Sequence, residues 1–259
     1  MTAARTEGRA RDDWREVQGV RVYARVEGAG QGGPPVVLVG GMGCSHLYFQ
    51  TFQAVLARRL EVWAVDLPGQ GKSRAPAGRY VTLREQSDFL AAWLEASGLV
   101  PAVLLGHSLG GEIGIDLAAR HPHALSHLVL CAPTGIPEYP NLAEQIYNLA
   151  RDALRERPAL VWRAVRSYFM CGFSRVMALL GDQLFHDTLP LLGQVRAPVL
   201  LLAGSRDPVV RPGMVRAIQL RLPRAVFVNV KGAPHALHDS HPEVVARALM
   251  VFVGGEQEV

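Results

Sequence analysis

The chain has 259 residues, enough for one large domain with a sizeable core. Hydrophobic residues make up 49% and charged residues 19%, the balance of an ordinary globular protein rather than a disordered or membrane one. The 27 basic and 23 acidic residues leave a net charge of only +4, with the arginines scattered among Asp and Glu, which argues against a nucleic-acid partner.

Residues 1–13 read as a charge-mixed, disordered tail, and they lack the apolar core of a secretory signal. Residues 14–18 and 20–27 alternate across a face as strands do, and residues 28–35 make a turn. Residues 36–39 are a continuous apolar run, as expected of a strand covered on both sides. Further runs of this kind lie at 62–65, 102–105, 128–130, 198–202 and 225–230. Helical patterns separate them at 47–59, 82–95, 109–120, 212–222 and 241–252, the second opening on a capping box, Thr82 to Glu85. Alternation of this kind predicts an α/β fold with a mainly parallel sheet flanked by helices. Residues 134–192 break it. They carry only helical periodicity, with Ala159, Trp162, Val165 and Phe169 on one face, and are expected to form a helical cap, or lid, over a core of residues 14–133 and 193–259. No apolar run reaches the roughly 18 residues that a membrane span needs. Cys44, Cys131 and Cys171 have no metal-ligand spacing, so no metal is expected, and as an odd, unclustered set they point to a reducing, cytoplasmic setting.

The segment that carries chemistry is Gly106-His107-Ser108-Leu109-Gly110, where a buried strand runs straight into a helix. A serine on so sharp a turn is lifted to the carboxyl edge of the sheet, and the helix N-terminus aims positive charge at any oxyanion formed there. A hydroxyl attacks poorly unless a base takes its proton, so an imidazole and an orienting acid are needed on later strand ends. Asp207 is the acid just beyond the run at 198–202, whereas the rival position after Cys131 has no acid before Glu138. His235 is the first histidine past the run at 225–230, on a Gly/Pro-rich loop, with His238 as the competing base. His46 and His107 read as structural or pocket-lining. Glu112 and Asp116 read as an acid placed for the helix dipole and half of an i,i+4 pair with Arg120.

With these residues in place the chain resembles the α/β-hydrolase family from Val20 to Val253. The shared landmarks are Gly40-Gly41-Met42-Gly43 after the third strand, Asp66-Leu67-Pro68-Gly69-Gln70-Gly71-Lys72-Ser73 after the fourth, the elbow at Ser108, Asp207 and His235. Pro242 stands at the family's usual distance from His235 and not from His238. The resemblance implies an eight-stranded sheet and an oxyanion hole from the backbone N–H groups of Met42 and Leu109. It also implies that Gly40 replaces a histidine that ordinarily braces the oxyanion loop. Gly41, His107, Trp162 and Phe169 are the expected substrate-binding residues, the last two within an aromatic surface that includes Tyr139, Tyr147, Tyr168, Met170 and Phe173. The expected activity is cofactor-free cleavage of a hydrophobic acyl or aryl ester or thioester. The alternatives are carbon–carbon bond hydrolysis, acyl transfer or perhydrolysis by the same triad, and ligand binding without turnover.

Overall fold

In the computed structural model, which describes residues 10–30, 32–75, 81–136, 142–222 and 224–254 without the side chains of Leu142 and Gln145, the chain opens on two antiparallel strands. These are β1 (Arg11–Val17) and β2 (Val20–Glu27). Strand β1 starts inside the stretch expected to be tail, with Arg11, Asp12 and Asp13 opposite Val26, Arg25 and Ala24. The strand lies at the sheet edge, where charged side chains reach water, so its polar start is no obstacle to pairing.

The remaining order is β3 (Val36–Val39), a short 3-10 helix (His46–Phe49) leading into α1 (Gln50–Leu56), β4 (Val62–Asp66), α2 (Leu83–Ala96), β5 (Ala102–His107), α3 (Leu109–Arg120) and β6 (Leu125–Cys131). Four helices follow: α4 (Leu142–Ala153), α5 (Pro158–Cys171), α6 (Phe173–Gln183) and α7 (Leu189–Leu192). The chain then returns to the sheet with β7 (Val199–Gly204), α8 (Pro212–Arg221), β8 (Val226–Val230), α9 (Leu237–Ser240) and α10 (Pro242–Gly254).

The eight strands run in the order β1-β2-β4-β3-β5-β6-β7-β8, parallel from β4 to β8, with β2 antiparallel to β4. This is the α/β-hydrolase fold that the sequence resembles. Strands β3, β4 and β5 are buried along their whole length, which is why they read as unbroken apolar runs. Strand β8 reads the same way but sits at the far edge, with Val226 and Phe227 exposed. The capping box forms: the Thr82 hydroxyl accepts from the Glu85 N–H at 3.2 Å, and the Glu85 carboxylate accepts from the Thr82 N–H at 2.9 Å. Among the described residues no helix is long and apolar enough to cross a membrane.

This topology decides where chemistry can occur. Strands β3 and β5 are parallel neighbours, so the loops leaving their carboxyl ends emerge side by side. The loops after β7 and β8 emerge from the same edge, two and three strands further along.

Candidate active site

Ser108 joins β5 to α3 at φ 53° and ψ −119°, a region that L-residues avoid at a cost of about 1–3 kcal/mol. Its backbone is pinned on both sides. The N–H donates to the Cys131 carbonyl at 3.0 Å, and the carbonyl accepts from Gly111 at 2.9 Å and from Glu112 and Thr134 at 3.3 Å. The flanking glycines are required by close approach. A Cβ on Gly106 would stand 2.2 Å from the Gly110 carbonyl oxygen, and one on Gly110 would stand 2.2 Å from the Val39 carbonyl oxygen.

Asp207, in the loop after β7, has a fully buried carboxylate whose two oxygens do different work. Oδ1 accepts from the N–H groups of Val209 and Val210 at 2.7 and 3.1 Å, and Oδ2 faces His235 Nδ1 at 2.8 Å. A carboxylate only accepts, so Nδ1 carries the imidazole proton and Nε2 is left with its lone pair. Nε2 is buried and has no hydrogen-bond partner among the described residues, and His235 lines the same cavity as Ser108. Burial pulls the imidazole down, but Asp207, with Asp152 and Glu156 further off, outweighs it and holds His235 above its ordinary value.

The competing histidines take other places. His238 is fully buried against the rings of Tyr48, Phe49, Phe52 and His107, and burial with His235 nearby lowers it to about 3. It is a neutral packing residue. His107 Nε2 lies 3.2 Å from the carbonyl oxygen of His235, so it donates its proton there and braces the loop that carries that ring. Burial, followed by its imidazole neighbours, holds His107 well below the usual histidine range, and its ring lines the cavity.

The loop after β3 supplies the opposite wall. Gly41 packs so closely on Ser108 that a Cβ there would meet the serine Cβ at 3.2 Å, and Met42 lines the cavity. Leu109 opens α3, where a helix leaves its first N–H groups without an intrahelical partner. In place of the family histidine at position 40, the loop is braced from further along. Cys44 N–H donates to the Gly41 carbonyl at 3.0 Å. Asp66, at the end of β4, accepts from the His46 N–H at 2.6 Å and ring Nδ1 at 2.9 Å, and from the Lys72 N–H at 2.8 Å. The DLPGQGKS segment therefore serves as a buried brace for the loop after β3.

A cavity of about 180 Å³ lies over Ser108, walled by Tyr48, Ile136, Leu149, Tyr168, His186 and Met214 among others. Trp162 and Phe169, expected to bind substrate, do not line it. They are 68% and 84% exposed on the outer face of α5. Helical spacing correctly places them on one face, but the face that α5 buries is that of Leu160, Ala164, Ser167 and Cys171. Tyr147 and Phe173 are likewise exposed, and Tyr139 lies outside the described residues.

Glu112 is more than a helix-dipole acid. It is fully buried, and its carboxylate meets Thr134 Oγ1 at 3.0 Å, Gln183 Nε2 at 3.1 Å and His186 Nδ1 at 2.8 Å. Asp116 faces His186 Nε2 at 3.5 Å and forms the expected pair with Arg120, Nε to Oδ1 at 2.7 Å. Nothing local marked this role, because His186 is 74 residues away in the chain. Burial lowers the His186 imidazole, but Asp116 and Glu112 together raise it to about 9. An elevated imidazole adds stability that is complete below its unfolded value near 6.5 and is lost as pH climbs through about 9. Between pH 6 and pH 9.5 His186 is expected to account for a loss on the order of 2 kcal/mol in urea unfolding, so His186→Ala flattens the wild-type slope. Equal slopes in the two proteins would show that this cluster does not tie the inserted helices to α3.

Comparison with known proteins bears on the family and the fold. Residues 36–248 match the family described as the alpha/beta hydrolase family. The chain is 32% identical over 249 residues to a pimeloyl–acyl-carrier-protein methyl ester esterase of Chromobacterium violaceum, covering 86% of this chain and 95% of that one. It is 30% identical over 245 residues to the enzyme of the same name from Neisseria meningitidis serogroup B, covering 85% and 93%. Among solved structures, a thermophilic esterase from Thermogutta terrifontis superposes with a TM-score of 0.79 at 21% identity, over 95% of this chain and 99% of that one.

Proposed function

Since the chain belongs to the alpha/beta hydrolase family and is a hydrolase, we propose that it cleaves carboxylic esters or thioesters of a hydrophobic acyl or aryl group through an acyl-enzyme on Ser108. The observation that supports this reading is the bond of 2.8 Å from His235 Nδ1 to Asp207 Oδ2, which leaves a lone pair on Nε2 of a residue that lines the same cavity as Ser108.

In this reading Ser108 Oγ bonds to the substrate carbonyl carbon as its proton passes to His235 Nε2. Asp207 holds the ring in the required tautomer and stabilises the imidazolium. The N–H groups of Met42 and Leu109 hold the oxyanion, each lowering the barrier by about 2.7–4 kcal/mol as single donors do elsewhere. The proton then moves from Nε2 to the leaving oxygen or sulfur, and water cleaves the acyl-enzyme by the same steps. The inserted helices act as a lid whose inner wall, through Leu149 and Tyr168, meets the acyl or alcohol group. The three buried free thiols suit a cytoplasmic setting.

A cavity of about 180 Å³ suits a short chain or a single small ring. Purified protein is expected to hydrolyse p-nitrophenyl acetate and butyrate faster than the dodecanoate, and to be labelled by a fluorophosphonate probe. Absence of both turnover across the series and labelling would refute the reading.

A further inference from the structure

The junction between α4 and α5 grips the backbone of the two loops that carry Asp207 and His235. Asp152 Oδ1 accepts from the His235 N–H at 3.0 Å, and Glu156 Oε1 accepts from the Ala236 N–H at 2.7 Å. Arg155 Nη1 donates to the Arg206 carbonyl at 2.6 Å, next to Asp207, and Arg157 Nη2 donates to the Ser240 carbonyl at 3.0 Å. Acids meet N–H groups and arginines meet carbonyls, so each charge suits the backbone group it holds. Asp152 is buried, and with Glu156 it occupies one side of the helical turn that ends α4.

We infer that Asp152 and Glu156 are positioning residues, through which the inserted helices set the place of His235 and put the one negative charge that the pair shares behind its ring. The inference rests on the reading of His235 as the base. It accounts for an otherwise costly arrangement, a buried carboxyl beside a half-buried one, since each satisfies a backbone donor of a loop that has to stay fixed. Burial, with Asp152 beside it, pushes the Glu156 carboxyl up to about 8, against the opposing pull of its bond to Ala236. The other titratable groups facing the pair are Asp207 and His235 from the loops after β7 and β8, and Tyr48 from the 3-10 helix. Arg155 and Arg157, on the same segment, point their guanidinium groups at the carbonyls named above.

The test is the pH dependence of fluorophosphonate labelling in the full chain, in which a bond forms between Ser108 Oγ and phosphorus, fluoride leaves and His235 takes the serine proton. Glu156 keeps its proton up to about pH 8, so at the acid limb the pair shares a single negative charge. The double variant Asp152→Asn/Glu156→Gln removes it while leaving an acceptor oxygen at each position, which moves the acid limb of labelling to lower pH. Asp152→Ala removes acceptor and charge together. It is expected to label ~10–100-fold more slowly, the size of effect a small misplacement produces. If the alanine variant does not fold, the double amide variant still carries the limb measurement. Unchanged rates and limbs would overturn the inference, and so would uniformly slow labelling with an unshifted limb, which is the mark of a purely structural role. Failure of the wild type itself to label would instead overturn the assignment of Ser108 and His235.

Discussion

Ser108→Ala is expected to lower ester turnover by roughly 10⁶ while leaving the fold intact, in line with what removal of a nucleophilic serine costs elsewhere. In the proposed mechanism the Ser108 hydroxyl makes the covalent bond, and the cysteines cannot substitute for it, since all three are buried and burial raises their thiols. The same position makes a second, opposite prediction. At φ 53° the serine backbone is strained, so Ser108→Gly relieves about 1–3 kcal/mol and adds about 0.5–1 kcal/mol of unfolded-chain entropy. Glycine at 108 is therefore expected to be inactive yet at least as stable as the wild type in thermal or urea unfolding. An inactive but clearly less stable glycine variant would contradict the strain argument. Residual turnover within a hundredfold of wild type in the alanine variant would remove Ser108 from the mechanism.

Asp207→Asn is expected to cost about 10⁴ in kcat with little change in KM, the scale seen when an orienting acid is replaced by its amide in another serine hydrolase. The hydrogen bonds here say why. The N–H groups of Val209 and Val210 both need an acceptor, so the amide oxygen of an asparagine would be drawn to them. Its NH₂ group would then face His235 Nδ1, which must become the acceptor and push the proton to Nε2. That is the wrong tautomer for a base. Steady-state kinetics with p-nitrophenyl butyrate, beside a melting curve to confirm folding, checks the expectation. Activity within tenfold of wild type would mean that another acid orients the ring.

Much of this was legible in the sequence because it is written locally. A covered parallel strand has to be apolar along its length, and a serine lifted between strand and helix needs glycine on both sides, as the contacts of Gly106 and Gly110 with Gly110 and Val39 make plain. Asp207 and His235 could be picked out because the loops after the fold's later strands hold few candidates, and the structure brings the two within 2.8 Å. What periodicity could not supply was direction. It put Trp162 and Phe169 on one face of α5, but only the docking of Leu160 and Cys171 decides that this face looks outward. Long-range pairings were equally silent. Glu112 waits for His186, and the edge strand at Arg11 is a strand only because β2 is there to pair with it.

The two halves of the catalytic geometry depend on different parts of the molecule. Gly41 and Ser108 are neighbours because β3 and β5 are, so the spacing between them is fixed by the ladder of the sheet. His235 is held from the sheet through its carbonyl, by His107, but its own N–H is tied to a carboxylate that arrives on a helix from outside the sheet. Grafting a foreign insertion in place of these helices would thus preserve the spacing of Gly41 and Ser108 while removing one of the ties on the backbone of His235, unless residues 152–157 travelled with it.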